Sequence, residues 1–428
     1  LPREEYLRMA ARIPGVYVPS FYDVSYHADG TIAAIEPKEG TGAPQTVYKA
    51  LVSDLTCAEY PEKLIVPYGE GVHDRIMLEI FRGCTRGCRF CQAGMIYRPV
   101  RERSMERLLE LAEKLVCATG YDEISLMSLS SGDYSCLPEL AREMVRRFAA
   151  RRVKISLPSQ RIDNVLTDTL KETQKVRKTA LTLAPEAGTQ RMRDVINKGV
   201  TEEDLIRSVT DAFEQGWSAV KLYFMIGLPT ETDEDVLGIA RLAGLVRSCY
   251  LSLPKEKRAP GLRITVSASV FVPKNFTPFQ WAAQLRGGEV ARRQQLLKHE
   301  LARIKGVDFK YHAVDLSYIE AVFARGDRRL ADVLERAWRL GCRFDGWSDQ
   351  FRYDLWRQAF EECGVDPDFY ACRERPDDEV FPWEHLDAGV SREFLLREWK
   401  KAQSAERTQD CRKGCVGCGM RRYEGACR

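Results

Sequence analysis

The chain is 428 residues long, too long for one ordinary hydrophobic core, so two or three domains are expected. Hydrophobic content of 44% and charged content of 30% fit a soluble globular enzyme, and a net charge of +3 excludes a global field that would mark a nucleic-acid or membrane-surface protein. No apolar run approaches the roughly 20 residues of a membrane span; the longest, "ITVSASVFV" and "YFMIGL", read as buried strands.

The chain starts at Leu1 with "LPREEYLRMAARIPG", which lacks the basic, apolar, small-residue order of a signal peptide and reads as an amphipathic helix. An upstream domain is therefore expected. Residues 1–75 read as a lead-in region. Within it, "GVYVPSFYDVSYHADGTIAAIEP" alternates like a β-hairpin with "HADGT" as its turn.

A regular alternation follows over residues 76–275. Six strand-like runs are expected at 77–81, 123–129, 153–158, 179–184, 219–228 and 263–272. Helical periods follow the first five, near 104–116, 137–150, 162–175, 188–197 with 202–215, and 233–249. Such alternation implies parallel strands with right-handed crossovers, in a partial α/β barrel or an open doubly wound sheet. In either, the site lies at the carboxyl ends of the strands. After Pro273 the pattern turns helical, at 288–305, 327–341, 353–364 and 391–406. The expected divisions are thus a lead-in (1–75), an α/β unit (76–275), a helical region (276–405) and a cysteine-rich tail (406–428).

Fourteen cysteines occur, and seven of them fall in two tight groups: 84, 88, 91 and 411, 415, 418, 427. Tight groups in a long chain without a secretion signal favour metal or cluster binding in a reducing cytosol. In "RGCTRGCRFCQAG" (82–94), Cys84, Cys88 and Cys91 have C-x3-C-x2-C spacing. Three thiolates so spaced suit three irons of a 4Fe–4S cluster, with the fourth iron open to a substrate. Arg82, Arg86 and Arg89 then read as screening for an anionic cluster and its electron supply. Gly83, Gly87 and Gly94 would let the loop take positive φ and approach the cluster. A zinc site wants a fourth ligand, for which His73 is the nearby candidate, and a redox pair would need two cysteines only. The tail repeats the spacing at Cys411, Cys415 and Cys418, with Cys427 as a fourth thiolate. It reads as an auxiliary iron–sulfur cluster or a structural zinc, in a segment with no apolar run whose order would depend on the metal. A disordered, thiol-rich tail is the alternative.

With Phe90 ahead of the third cysteine, this loop resembles the radical S-adenosylmethionine (radical SAM) superfamily. The resemblance extends to "SSGD" (130–133), "LAPEAGTQRMRDVINKG" (183–199) and "KLYFMIGLPTET" (221–232), and covers about residues 76–275. It implies a partial (β/α)6 radical SAM barrel with a mainly helical carboxyl-terminal region. It also implies a 4Fe–4S cluster, S-adenosylmethionine and an electron donor such as flavodoxin or ferredoxin. By resemblance, Gly132 and Asp133 meet the methionyl amino group, Ser159 and Arg161 its carboxylate, Glu186 the ribose, and Gly227 with Pro229 the adenine, while Tyr223 or Met225 only packs. Each also has an ordinary reading as a helix-entry turn, a solvated charge or a dipole-favoured Glu.

"VHDRIMLEIFRGCTRGCRFCQAGMIYRPVRERS", "VPKNFTPFQW" and "FPWEHLDAGVSREFLLREW" further resemble one subfamily, whose members usually carry an amino-terminal cobalamin-binding-like domain. That order of domains implies methyl transfer to an unactivated carbon, with methylthio transfer also open. The substrate would be a macromolecule in the cytoplasm, with RNA or a ribosomal component weighed and the basic stretch "RRFAARRVK" permitting RNA. Trp281, Trp383 and His385 lie in the shared segments, either lining a substrate cavity or, as buried aromatics more often do, filling core. The rival readings are a non-catalytic iron–sulfur scaffold and a zinc-tailed nucleic-acid-binding protein.

Overall fold

The computed structural model describes residues 1–69, 71, 74–156, 162 and 181–423. Its centre is a set of parallel strands: β1 (Ile76–Glu79), β2 (Glu123–Met127), β3 (Lys154–Ser156), β4 (Leu181–Glu186), β5 (Ala219–Ile226), β6 (Arg263–Val270) and β7 (Val307–Tyr311). One sheet has the order β1-β2-β3 and the other β4-β5-β6-β7, so neighbours in space are neighbours in sequence, as right-handed crossovers require. This is the expected α/β partial barrel. Its seventh strand was not expected. "VDFKY" is short and carries two charges in five residues, and no element is expected there from sequence; it pairs in parallel along β6 from Ile264 to Ala268.

The two faces of the strands differ in chemistry. On β1 and β2, Ile76, Leu78, Ile124 and Leu126 are fully buried against the helices Met105–Thr119 and Leu137–Phe148. Leu222, Phe224, Ile264 and Val266 do the same on β5 and β6. The alternate positions include Ser125, Thr182, Lys221, Tyr223 and Ser267, so the face away from the helices is polar. Strand period two thus turns one apolar face outward to the helices and leaves the other for chemistry.

Local signals explain the crossovers. The helix Met105–Thr119 is capped by Ser104, whose hydroxyl accepts from Arg107 N at 3.2 Å, and ends at Gly120 with φ +71°. The helices Glu202–Glu214 and Asp233–Ser252 each begin with a reciprocal Thr–Asp capping box, at Thr201/Asp204 and Thr232/Asp235. The turn after β4 packs so closely on the second of these that a Cβ on Gly188 would lie 2.3 Å from the Asp235 carbonyl oxygen.

The lead-in forms the expected helix, Arg3–Ala11, and the expected hairpin, Tyr22–Tyr26 against Ile32–Pro37. Asp29 fixes its turn by accepting from Thr31 N at 2.9 Å. The expected carboxyl-terminal helices are Gly287–Ala302, Leu330–Leu340, Tyr353–Glu362 and Arg392–Gln403, with an additional helix at Val314–Arg325. Of the helix expected near 162–175, only Ile162 is among the described residues, and it is buried.

Packing crosses the expected divisions at 275/276 and 405/406. One core joins Met95, Met192 and Met225 to Trp281, Phe394, Trp399, Cys418 and Met420. Val47–Tyr48 of the lead-in pairs in parallel with Leu386–Asp387. Among the described residues, no helix is long and apolar enough to cross a membrane.

Candidate functional site

The three-cysteine loop leaves β1 at its carboxyl end and is pinned by the short pairing of Phe81–Arg82 with Arg101–Glu102. Gly83 has φ +95°, and a Cβ there would lie 2.4 Å from the Pro99 carbonyl oxygen, so only glycine fits. Gly87 has φ +75° and passes its carbonyl to Asn197 Nδ2 at 3.1 Å. Gly94 does not take the positive φ expected of it. It sits inside the helix Gln92–Ile96, and its N–H donates to the Sγ of Cys91, the cap residue, at 3.3 Å.

Burial first, then Cys88 and more weakly Cys84, push the Cys91 thiol up to about 11, against the Gly94 N–H and Lys198, which pull it down. Among the described residues, no three Cys, His, Asp or Glu side chains converge on one metal ion. Three thiolates are a soft donor set of the kind that holds a 4Fe–4S cluster. His73 lies outside the described residues.

The arginines of the loop are structural ties, which corrects the expectation of cluster screening. Arg82 forks onto Glu79 at 2.9 Å through two nitrogens. Arg89 is fully buried, donates to Glu398 at 3.0 and 3.1 Å, and takes the carbonyls of Asp194, Val195 and Glu406. Arg86 meets Asp133, with Nε 3.0 Å from Oδ2, and Asp410 at 3.4 Å. Paired guanidiniums contribute little net field, because each charge is already met by a carboxylate.

The turn after β2 contains Gly132 and Asp133. Ser130 Oγ donates to Asp133 Oδ2 at 2.7 Å, and Arg412 approaches Oδ1 at 3.1 Å. Burial raises the Asp133 carboxyl, but the Arg86 pair and the Ser130 hydroxyl outweigh it and hold it below the usual carboxylate range. Its two oxygens are thus occupied by two guanidiniums and a hydroxyl. Ser159 and Arg161, the expected carboxylate contacts after β3, lie outside the described residues.

Glu186 ends β4 with φ +69°, a left-handed conformation rare for a non-glycine residue and typical of functional sites. Its Oε1 lies 3.0 Å from Lys198 Nζ, and that ammonium stands over the Phe90 ring of the cysteine loop at 6.0 Å. Lys198 was not singled out from sequence, although it closes the "NKG" of the quoted motif. At the end of β5, Gly227 has φ +89° and donates its N–H to Glu231 Oε2 at 2.7 Å. Glu231 pairs with Arg293 at 2.9 Å, and burial pushes its carboxyl up to about 7 against the Gly227 N–H and Arg293, which pull down. Neither Glu231 nor Arg293 was expected, since their contact spans 62 residues of sequence. Met225 packs in the core as expected. Tyr223 is 37% exposed on the polar face, with Lys221 Nζ 4.5 Å from its ring centroid.

The tail folds back onto the loop. Cys411 N donates to the Thr85 carbonyl at 3.2 Å, Thr85 Oγ1 donates to Asp410 at 3.2 Å, and Thr408 N donates to Asn197 Oδ1 at 3.0 Å. Cys415 is exposed, Cys418 is buried in the core with Met420, and Cys427 lies outside the described residues. Val416, Cys418 and Met420 pack there, which corrects the expectation of a tail without an apolar anchor. Trp281, Trp383 and His385 are core residues. Trp281 is fully buried, and the His385 ring packs 4.8 Å from Tyr17 and 5.0 Å from Tyr22.

A family model described as the Radical SAM superfamily matches residues 78–243. The uncharacterized protein MJ0966 of Methanocaldococcus jannaschii is 32% identical over 74% of this chain and 69% of its own length. A probable threonylcarbamoyladenosine tRNA methylthiotransferase of Archaeoglobus fulgidus is 28% identical over 37% of this chain, and the match spans only 39% of that relative. The solved structure of the radical S-adenosylmethionine methyltransferase TsrM of Kitasatospora setae, with cobalamin and a 4Fe–4S cluster bound, is 15% identical. It covers 50% of this chain and 41% of that one, with a TM-score of 0.38.

Proposed function

The chain belongs to the radical SAM superfamily, and from that premise we propose that Cys84, Cys88 and Cys91 hold a 4Fe–4S cluster whose fourth iron takes S-adenosylmethionine. Bound there, the cluster supplies the electron for reductive cleavage of S-adenosylmethionine, chemistry that no side chain of the protein provides. The protein's own residues hold and orient. Gly83 and Gly87 give the loop its shape, and Arg89 ties it to the carboxyl end of the helix Gln190–Val195 and to the Arg392–Gln403 helix.

Glu186 accepts from the ribose hydroxyls, with Lys198 Nζ held 3.0 Å from its Oε1. Gly227, fixed by Glu231, presents backbone to the adenine. In the Gly132–Asp133 turn, the Asp133 carboxylate is already satisfied by Arg86 and Arg412, so backbone of the turn meets the methionyl ammonium and Asp133 fixes the turn. Ser159 and Arg161 take the carboxylate in this reading.

The reaction is transfer of a methyl or methylthio group to a macromolecule, in the cytoplasm, with flavodoxin or ferredoxin as electron donor. The Archaeoglobus relative is named for a tRNA, and this supports RNA as the substrate class. Cobalamin enters the reading through the subfamily resemblance alone. Cys411, Cys415, Cys418 and Cys427 remain proposed ligands of a second metal.

The observation that carries the reading is a coincidence of position. The three-cysteine loop leaves the carboxyl end of β1, where the family match begins, and Glu186 and Gly227 end two further parallel strands. Anaerobic reconstitution tests it. About four irons per chain are expected at this loop, and Cys84→Ala, Cys88→Ala and Cys91→Ala should each lose them. Iron and visible absorbance retained in the triple variant, with the tail cysteines also replaced, would remove the assignment.

A further inference from the structure

We propose that a cavity beside the three-cysteine loop is a nucleotide subsite that takes a phosphate and a base of single-stranded RNA. This rests on the reading above and gives its substrate class. The cavity measures about 480 Å³ and lies between the lead-in, the helix Gln92–Ile96, Phe276 beyond β6, and the short strand Leu386–Asp387 with Ala388.

Its charge is positive. Lys49, Arg82 and Arg101 line it, and Arg82 is neutralised by Glu79. Lys49 Nζ donates to the carbonyls of Ile96 and Arg98 at 3.0 and 2.6 Å. Arg101 donates to the carbonyls of Pro99, Val52 and Tyr97. Carbonyl oxygens satisfy the protons of a cation but do not cancel its charge. Asp387, an acid on the same wall, is drawn into an ion pair with Arg422. Two partly buried cations therefore share a cavity with no carboxylate ion-paired to either among the described residues, a costly arrangement that an anion relieves. S-adenosylmethionine carries a sulfonium, so this charge suits the substrate and opposes the cofactor's reactive end.

Three aromatic rings stand in a lining that is otherwise mostly aliphatic. Tyr17, Tyr97 and Phe276 all face the cavity, and Tyr97 is 46% exposed. Phe276 holds φ +55°, a strained backbone that persists where the surroundings impose it. Bases stack on such rings whatever their sequence, while phosphates pair with Lys and Arg. An acidic peptide would satisfy the cations but leave the rings unused. Gln92 lines the same cavity and follows Cys91 directly, so a nucleotide here lies beside the cysteine loop.

Fluorescence anisotropy on the full chain tests this with three probes: a short single-stranded RNA, a nucleoside monophosphate and an acidic peptide. RNA should bind, and Tyr97→Ala and Lys49→Gln should each weaken it about tenfold. Lys49→Gln should also lower the salt slope by about one. Tyr97 is half exposed, so its variant keeps the test valid if Lys49→Gln fails to fold. RNA binding unmoved by Tyr97→Ala, or peptide binding that the variants abolish, overturns the proposal. Competition by the monophosphate with no gain for RNA keeps the phosphate-and-base chemistry but overturns RNA as its source. Formation of 5′-deoxyadenosine, measured on the same samples, reports separately on the enzymatic reading. Cleavage without RNA binding overturns the subsite alone, and RNA binding lost in the variants supports it even where cleavage fails.

Discussion

The Arg86 guanidinium faces the Asp133 carboxylate across the carboxyl ends of β1 and β2, with Nε 3.0 Å from Oδ2, and Arg412 of the tail reaches the same carboxylate at 3.1 Å. Three segments far apart in sequence thus meet on one acid beside the three-cysteine loop. Asp133 is a clasp between the loop and the tail, beside the direct contacts of Thr85 with Cys411 and Asp410. Asp133→Ala should lower stability by about 2–3 kcal/mol, since two guanidiniums lose a partly buried partner. Denaturant unfolding checks this, and a double-mutant cycle with Arg412→Ala should show coupling. Additive effects of the two substitutions would mean that the tail and the turn are independent.

Arg89 and Glu398 form the most buried ion pair at the site, with side-chain exposures of 0% and 3%. Arg89→Met should cost about 3–5 kcal/mol, because it strands a buried carboxylate. Arg89→Met with Glu398→Leu should recover part of that loss. If the double variant is as unstable as the single, the carbonyl contacts of Arg89 carry the effect and the charge does not.

Gly83→Ala should prevent the loop from closing. Its φ of +95° is unfavourable for alanine, and the new Cβ would meet the Pro99 carbonyl oxygen at 2.4 Å. Reconstituted iron should fall to near background while the far-ultraviolet circular dichroism of the barrel is kept. Wild-type iron content in this variant would contradict the described loop.

Glu231 carries a pH dependence whose sign is fixed. Its carboxyl lies near 4.5 in the unfolded chain and is raised to about 7 by burial in the folded one. Between these values the folded state holds the proton and the unfolded state does not. The contribution is therefore full below about pH 4.5 and is lost as the pH rises through 7. Glu231→Gln keeps an acceptor for the Gly227 N–H and should show a flatter stability profile across that window. A profile unchanged from wild type would mean that Glu231 is ionised throughout, held by Arg293.

Much of this was legible in the sequence. Strand and helix periods located β1 to β6 because one apolar face per strand packs on helices, and the cysteine spacing located the loop. The β7 strand was missed because "VDFKY" earns its pairing from the edge of β6, a tertiary contact with no local signature. The clasp was missed for a similar reason. Arg86 and Asp133 stand out in the sequence for the cluster and the cofactor, but their pairing with each other and with Arg412 has no local sign, and Lys198 and Arg293 matter only through the acids they meet across the fold. The arginines of the loop misled because a charge count near the cysteines does not show which carboxylates the fold brings to them.

The central claim is reductive cleavage of S-adenosylmethionine at the three-cysteine loop. The most direct measurement is 5′-deoxyadenosine, by liquid chromatography with mass spectrometry, from anaerobically reconstituted protein given reductant and S-adenosylmethionine. Wild-type protein should form it. Cys88→Ala should not, and Glu186→Ala should form less while keeping its iron. Protein with a confirmed cluster that forms no 5′-deoxyadenosine, with or without RNA or ribosomal substrates, would contradict the account and leave a non-catalytic iron–sulfur protein.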